Sequence, residues 1–300
     1  MTYSIIGRDP AAGEVGIAVQ SKFPGVGSIV VHGRAGAGCL STQAFANPDH
    51  GRDGLDLLAL GATAAETLAV LLRGDTERSL RQIAVLRLDG EPAVHTGDEV
   101  ASWDGWAGAC CGPHSVASGN TLASQGVVEA MVEAFESCVG ELSDRLIAGL
   151  AAGRDAGGEL RGQQSAALLV VKPGGGYGGR TGRHVDVSIY DHPEPIDELA
   201  RCYQLHRLSY FPSDDCNLVP IDAAIAAELK PILASAGFDG LPAGDTWDDT
   251  CVAAMARFMG VENYDNRIRG DALVDLEVLA DIRRRHGAPS TGSQRKRRKA

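Results

Sequence analysis

Two short apolar runs at the head of the chain, residues 3–7 and 15–21, flank Asp9-Pro10-Ala11-Ala12-Gly13, which is turn chemistry. The head of the chain therefore reads as sheet. Two further strand candidates follow at residues 28–32 and 39–43, separated by a glycine-studded link. Helical patterning then takes over. Thr63 with Glu66 three residues on forms a capping box, and residues 64–72 place Leu68, Leu71 and Leu72 on one face. Strands return at 82–88 and 92–96, joined by Asp89-Gly90. A second helical block spans 121–138 and 143–152, with Val127, Val128, Met131, Ala134, Phe135 and Cys138 as a buried stripe. An unbroken apolar run at 165–172 reads as a buried strand, with 185–190 as its partner. Strands, helices, strands, helices and strands in blocks argue for an α+β chain whose sheets are covered by segregated helices.

The pattern changes after Tyr190. Asp191-His192-Pro193-Glu194-Pro195 reads as a helix-starting junction. From there to His286 the chain is mainly helical, with loops at 211–217 and 238–247. The expected organisation is a domain at 1–194, a smaller helical unit at 195–286 and a disordered basic tail at 287–300. Glycine, at 38 of 300 residues, exceeds the usual share and signals many tight connections or close backbone approaches.

Several function classes are excluded at this level. The chain carries a net charge of −11 although Arg295, Lys296, Arg297, Arg298 and Lys299 close it, so the body repels nucleic acid. No apolar stretch reaches the roughly 18 residues of a membrane span, and no secretory signal pattern opens the sequence. A cytoplasmic location is expected. Seven cysteines without a C-x-x-C pair predict reduced, mostly buried thiols rather than a disulfide framework or zinc finger. The histidines, among them His32, His50, His95, His114, His184 and His192, fall in no metal-binding spacing, so neither metal nor cofactor is expected. Residues 172–179 are glycine-rich but lack Gly-Lys-Ser/Thr, which excludes a P-loop.

Thr2 is the candidate that decides the chemistry. Removal of Met1 before a small residue would leave Thr2 at a free N-terminus, at the head of a buried strand. One residue then supplies both a hydroxyl nucleophile and an α-amine that titrates near neutral pH and serves as its base. The arrangement resembles the N-terminal nucleophile (Ntn) hydrolases, proteasome subunits included, where the nucleophile opens a strand and a second strand pairs beside it. That resemblance puts Gln20, Ser21 and Lys22 near the nucleophile. It matches Ser118-Gly119-Asn120 to an element that opens a helix, and Gly153-Arg154-Asp155-Ala156-Gly157-Gly158 to one that closes a helix. Where proteasome-like sites carry a lysine, this sequence has His32 or Arg34.

A closer resemblance covers nearly the whole chain. Thr2-Tyr3-Ser4-Ile5, Val19-Gln20-Ser21-Lys22-Phe23-Pro24-Gly25-Val26-Gly27, Thr42-Gln43-Ala44, Asn47-Pro48, Gly119-Asn120 and Arg161-Gly162-Gln163-Gln164-Ser165-Ala166-Ala167 resemble the bacterial domain-of-unknown-function 1028 family. It implies a four-layer αββα sandwich of Ntn-hydrolase type and hydrolase chemistry. Trp247-Asp248-Asp249-Thr250, Phe258-Met259-Gly260-Val261-Glu262-Asn263 and Arg267 resemble a small peptidoglycan-binding-like unit, with packing in a helical core or a docking or oligomerisation role as other readings.

The expected activity is cleavage of a C–N bond in a small amide, ureido or peptide-like substrate. Thr2 attacks the carbonyl, and its amine takes the proton directly or through one water. Backbone N–H groups near Thr42, Gln43 and Ala44, or the Asn120 side chain, stabilise the oxyanion. Ser21, Asn120 and Ser165 are candidates to orient the amine. Arg161 is a planar fork for a substrate carboxylate, or else bonds loop backbone together with Gln164. Ser4 faces the same side as Thr2 and is a pocket residue, or the nucleophile if processing falls later. Gln20, Lys22, Thr42, Gln43, Gln164 and Ser165 complete the substrate-binding candidates. A homo-oligomer is expected, with no nucleic-acid or membrane partner. The alternative is a non-catalytic binding or assembly protein with a degenerate Ntn-like sandwich.

Overall fold

A computed structural model describes residues 2–287 and has a mixed α/β architecture. Met1 and the basic run, and with them all of the expected tail except Gly287, lie outside the described residues. The chain divides into two compact units after Tyr203.

In the first unit the strands are β1 (Thr2–Asp9), β2 (Glu14–Ser21), β3 (Val31–Arg34), β4 (Gly38–Ala44), β5 (Arg81–Leu86), β6 (Ala93–Thr96), β7 (Trp106–Cys111), β8 (Ser115–Leu122), β9 (Ser165–Val171) and β10 (Arg183–Ile189). The helices are α1 (Gly27–Val30), α2 (Asp49–Ala59), α3 (Ala64–Gly74), α4 (Asp98–Ala101), α5 (Gly126–Ser137), α6 (Leu142–Asp155) and α7 (Pro195–Tyr210), which continues past the division. A six-stranded sheet runs β10-β9-β2-β1-β8-β7 and a four-stranded sheet runs β3-β4-β5-β6, every neighbouring pair antiparallel. One core cluster joins the two sheets: Ile6, Val15, Ile17, Val116, Leu169 and Val171 of the larger pack with Cys39, Ala84 and Leu86 of the smaller. Leu40, Ile83 and Val85, on the opposite side of β4 and β5, pack on Leu55, Leu58, Leu68 and Leu71 of α2 and α3.

Strand alternation sends Tyr3, Ile5 and Gly7 of β1 to the helix-bearing side and Thr2, Ser4 and Ile6 to the sheet-facing side. On the helix side the fit is close. A Cβ on Gly7 would stand 2.4 Å from the Phe135 ring of α5, and one on Gly149 of α6 would stand 3.1 Å from Ile5. The capping box at Thr63 and Glu66 forms as its residues predict, with Glu66 N–H donating to Thr63 Oγ1 and Thr63 N–H to Glu66 Oε2.

Three readings need correction. Residues 28–32 are not one strand. Gly25, at φ +62°, starts a helical turn that brings Val26 and Val30 onto Val19 and Ala167, and the strand begins only at Val31. Ser118-Gly119-Asn120 does not open a helix. It lies within β8, and α5 starts at Gly126, because Ser118 and Asn120 turn inward to Gln43 and Gln82 of the facing sheet. The cysteines are all free as expected but not mostly buried, since only Cys39 and Cys251 are.

The second unit holds β11 (Leu218–Pro220), α8 (Ala223–Ser235), α9 (Asp249–Val261), β12 (Leu273–Asp275) and α10 (Leu276–His286), the two strands pairing antiparallel. Its small core contains Leu229, Leu233, Phe258, Tyr264, Val278 and Ile282, with Trp247 packed against it. The motif residues build this core. Asp248 caps α9, Asn263 takes φ +63° just past its end, and buried Arg267 donates to Asp275 at 2.7 Å and Glu277 at 2.8 Å.

Gly7→Ala is expected to destabilise the first unit by about 1–3 kcal/mol, because the strand or Phe135 must give way to the methyl group. Urea denaturation measures this, and an unchanged midpoint would contradict the packing described.

Candidate active site

β1 lies between β2 and β8, and the register sets Thr2 opposite Ser21 on one side and Asn120 on the other. Side chains directly opposite in antiparallel strands share a face and lie within contact of each other. Buried Thr2 Oγ1 donates to Ser21 Oγ at 3.1 Å. Beside this pair opens a cavity of about 270 Å³. Thr2, Ser21, Gln43 and Arg161 are its polar lining, while Phe23, Val26, Ile29, Val30, Ala44, Phe45 and Ala46 form its apolar wall.

The wall is assembled from two bends. After β2, Ser165 Oγ donates to Phe23 O at 2.5 Å and accepts from Val26 N–H at 3.1 Å, which folds residues 23–26 over the head of β1. Ser165 therefore shapes the cavity and its hydroxyl is committed to this loop rather than to Thr2. At the end of β4, Ala44 takes φ +70°, a conformation unfavourable for a residue with a Cβ. The turn is held by Phe45 N–H donating to Leu80 O at 3.1 Å and Arg81 Nη1 donating to Phe45 O at 2.6 Å. Thr42 Oγ1 accepts from Asn47 N–H at 3.2 Å, so its hydroxyl closes the turn and does not line the cavity. Thr121, next to Asn120, is a second non-glycine residue at positive φ, +56°. Both strained positions of the first unit thus border the Thr2 site.

Polar side chains continue from Thr2 into the space between the sheets. Ser4 Oγ donates to Gln43 Oε1 at 2.9 Å. Gln43 Nε2 donates to Gln82 Oε1 at 2.8 Å and to Ser118 Oγ at 3.2 Å. Asn120 Nδ2 also donates to Gln82 Oε1, at 2.8 Å. Gln82 Nε2 donates in turn to Gly119 O at 2.8 Å and Gly108 O at 3.2 Å. All five of these side chains are buried.

The loop between α6 and β9 brings in a charged pair. Glu159, whose side chain has no solvent exposure, accepts from Lys22 N–H at 2.9 Å and from Arg161 Nε at 2.6 Å. Burial raises the Glu159 carboxyl above the usual range, against the opposing pull of the Lys22 amide and the Arg161 guanidinium. The Lys22 ammonium donates to Gln163 O at 3.1 Å, and Gln164 Nε2 donates to Asp191 at 3.1 Å. Gln20, opposite Tyr3, faces away from Thr2 and donates to Gly162 O at 3.4 Å.

Of the sequence-predicted residues, Thr2, Ser21, Gln43 and Arg161 meet in one cavity, with Asn120 and Ser4 behind them. Gln20, Lys22, Thr42, Gln164 and Ser165 instead hold the surrounding strands and loops. His32 and Arg34 take no part: His32 Nε2 bonds Ile29 O at 3.0 Å, and Arg34 pairs with Asp56 at 2.8 Å. Glu159 and Gln82 were not singled out in the sequence. Glu159 had a signal in its place two residues before Arg161 among glycines, whereas Gln82 only begins an ordinary strand. Among the described residues no group of three His, Cys, Asp or Glu could hold a metal ion, and no helix is long and apolar enough to cross a membrane.

A mixed α/β unit with a buried strand-head hydroxyl beside an apolar cavity is thus the class that fold and site define. Residues 2–199 match the model of the "Family of unknown function (DUF1028)", and the chain belongs to that family. Residues 212–281 match the model "Putative peptidoglycan binding domain". The crystal structure of a Silicibacter pomeroyi protein of the DUF1028 family is similar at a TM-score of 0.63 and 31% identity, covering 70% of this chain and 88% of that one. No curated protein matches.

Glu159 gives the site a pH signature. A carboxyl with a raised folded-state pKa carries more proton in the folded than in the unfolded chain, so its contribution is present at low pH and lost as pH rises through the folded value. Unfolding free energies of wild type and Glu159→Gln, measured by urea titration from pH 4 to pH 8, are expected to diverge in favour of the variant as pH rises. The opposite slope would contradict the assignment.

Proposed function

We propose that this chain is an N-terminal-nucleophile amidohydrolase that cleaves a C–N bond of a small amide, ureido or peptide-like compound, with Thr2 as nucleophile once Met1 is removed. The single observation that carries the reading is the buried Thr2 hydroxyl at the head of a central strand, 3.1 Å from Ser21 and open to an apolar cavity. Helices on the outer sides of two joined sheets support a four-layer αββα sandwich of the Ntn type.

In this mechanism Thr2 Oγ1 attacks the carbonyl carbon while the α-amine accepts the hydroxyl proton. The acyl group lies against Phe23, Val26, Ile29 and Val30, which favours a compact aliphatic or aromatic acyl part. Backbone N–H groups at Ala44 and Ala46 serve the oxyanion, because Asn120 Nδ2 is occupied by Gln82 and Phe45 N–H by Leu80. The leaving amine takes a proton back from the N-terminus, and water then hydrolyses the Thr2 ester. Arg161, fixed by Glu159, meets a negatively charged or carbonyl group of the substrate.

A fluorescent β-lactone tests the nucleophile. One adduct, mapped to Thr2 by peptide mass spectrometry, is expected in wild type and in Thr2→Ser, with labelling lowered by about 10³-fold or more in Thr2→Ala. Undiminished labelling of Thr2→Ala, or a folded purified protein that keeps Met1, would overturn the proposal in favour of a non-catalytic binding or assembly role.

A further inference from the structure

The hydrogen bonds between the sheets fix more than packing. A main-chain carbonyl oxygen only accepts, so the contacts of Gln82 with Gly108 O and Gly119 O identify its nitrogen end without ambiguity. Gln82 Oε1 therefore points the other way and must be met by donors. Asn120 answers with Nδ2 at 2.8 Å, as does Gln43 with Nε2 at 2.8 Å. With its nitrogen turned to Gln82, Asn120 has its oxygen on the other end. That Oδ1 is buried and has no hydrogen-bond partner among the described residues. A buried acceptor without a donor is costly and rare. Asn120 is also the register partner of Thr2 in β1, on the same face of the sheet. The acceptor thus lies beside the place where removal of Met1 creates a new donor.

We propose that Gln82 is a positioning residue that locks the Asn120 carboxamide with its oxygen toward the head of β1, where it accepts a hydrogen bond from the α-amine of Thr2. The inference rests on Thr2 being the first residue of the mature chain. It assigns Asn120 to the amine and withdraws it from the oxyanion. The amine is then held by Asn120 while its hydroxyl is held by Ser21, so nucleophile and base are oriented from opposite neighbours. Gln43 adds a second anchor, because its oxygen is committed to Ser4 and its nitrogen to Gln82 and Ser118. Rotation of the Asn120 amide would set two oxygens against each other at Gln82, a cost that keeps the orientation fixed.

The test uses the full chain beginning at Thr2, released by protease from an N-terminal fusion, with the Thr2 amine titrated by ¹³C NMR. An acceptor favours the ammonium form, so Asn120→Ala is expected to lower the titration midpoint by about one pH unit and Asn120→Asp to raise it by a similar amount. Gln82→Met is expected to lower it in the same direction as Asn120→Ala, with no further change in the double variant. Opposite shifts in the two Asn120 variants are not produced by loss of packing. Should Gln82→Met fail to fold, wild type decides: the Asn120 Cγ resonance must follow the amine midpoint, and its Nδ2 protons must exchange slowly. Midpoints within about 0.2 pH unit of wild type in both Asn120 variants, or an Asn120 Cγ resonance that ignores the amine, overturn the inference. Labelling of the same samples with the β-lactone separates the two readings. Expected midpoints without labelling retain the positioning and reject the hydrolase, whereas labelling with unmoved midpoints does the reverse.

Discussion

The antiparallel register of β1 between β2 and β8 is the constraint on which the site depends. It puts Thr2 opposite Ser21 and Asn120, and a slip of one residue would exchange Thr2 for Tyr3 and send the hydroxyl to the helix side. That register is held from both faces. Gly7 admits Phe135 on one side, while Ile6 joins the core between the sheets on the other. The hydroxyl is thus placed by a strand rather than by a loop.

Polar residues between the sheets are an expense that an apolar core would avoid. Ser4, Gln43, Gln82, Ser118 and Asn120 are all buried, yet they satisfy one another almost completely. Such a network imposes orientation on its amides, because the oxygen of Gln82 meets only donors and its nitrogen only acceptors. The atoms left over then acquire meaning. Strain follows the same geography, with Ala44 and Thr121 at positive φ on either side of the Thr2 site.

The parts of the fold that were legible in the sequence are those where burial and periodicity agree. β1, β2, β9 and β10 and the buried Val127, Val128, Met131 and Phe135 of α5 follow from apolar spacing, with Ala134 and Cys138 only half-buried, and the capping box follows from its Thr63-x-x-Glu66 spacing. β8 escaped because Ser118 and Asn120 occupy its inward positions, so the alternation that marks a strand is inverted where it faces polar partners. α2 escaped because Gly51 and Gly54 are buried in it: a Cβ at Gly51 would meet the His32 ring and one at Gly54 would meet Leu40. In the site, Thr2, Ser21 and Arg161 were readable from their positions in motifs. Gln82 was not, since nothing in a lone glutamine at a strand start announces that two carbonyls and two amides will converge on it. In the second unit, the resemblance residues Asp248, Phe258 and Arg267 turn out to build a cap, a core and a buried ion pair.

Thr2 Oγ1 is the atom on which the proposed acyl transfer turns. A crystal structure of the Thr2-initiated protein, soaked with an acylating electrophile that carries a compact apolar group, measures this directly. The prediction is continuous density from Thr2 Oγ1 into the cavity walled by Phe23, Val26 and Ile29, with Asn120 turned as described. An adduct on another residue, or an apolar group seated outside that cavity, would contradict it.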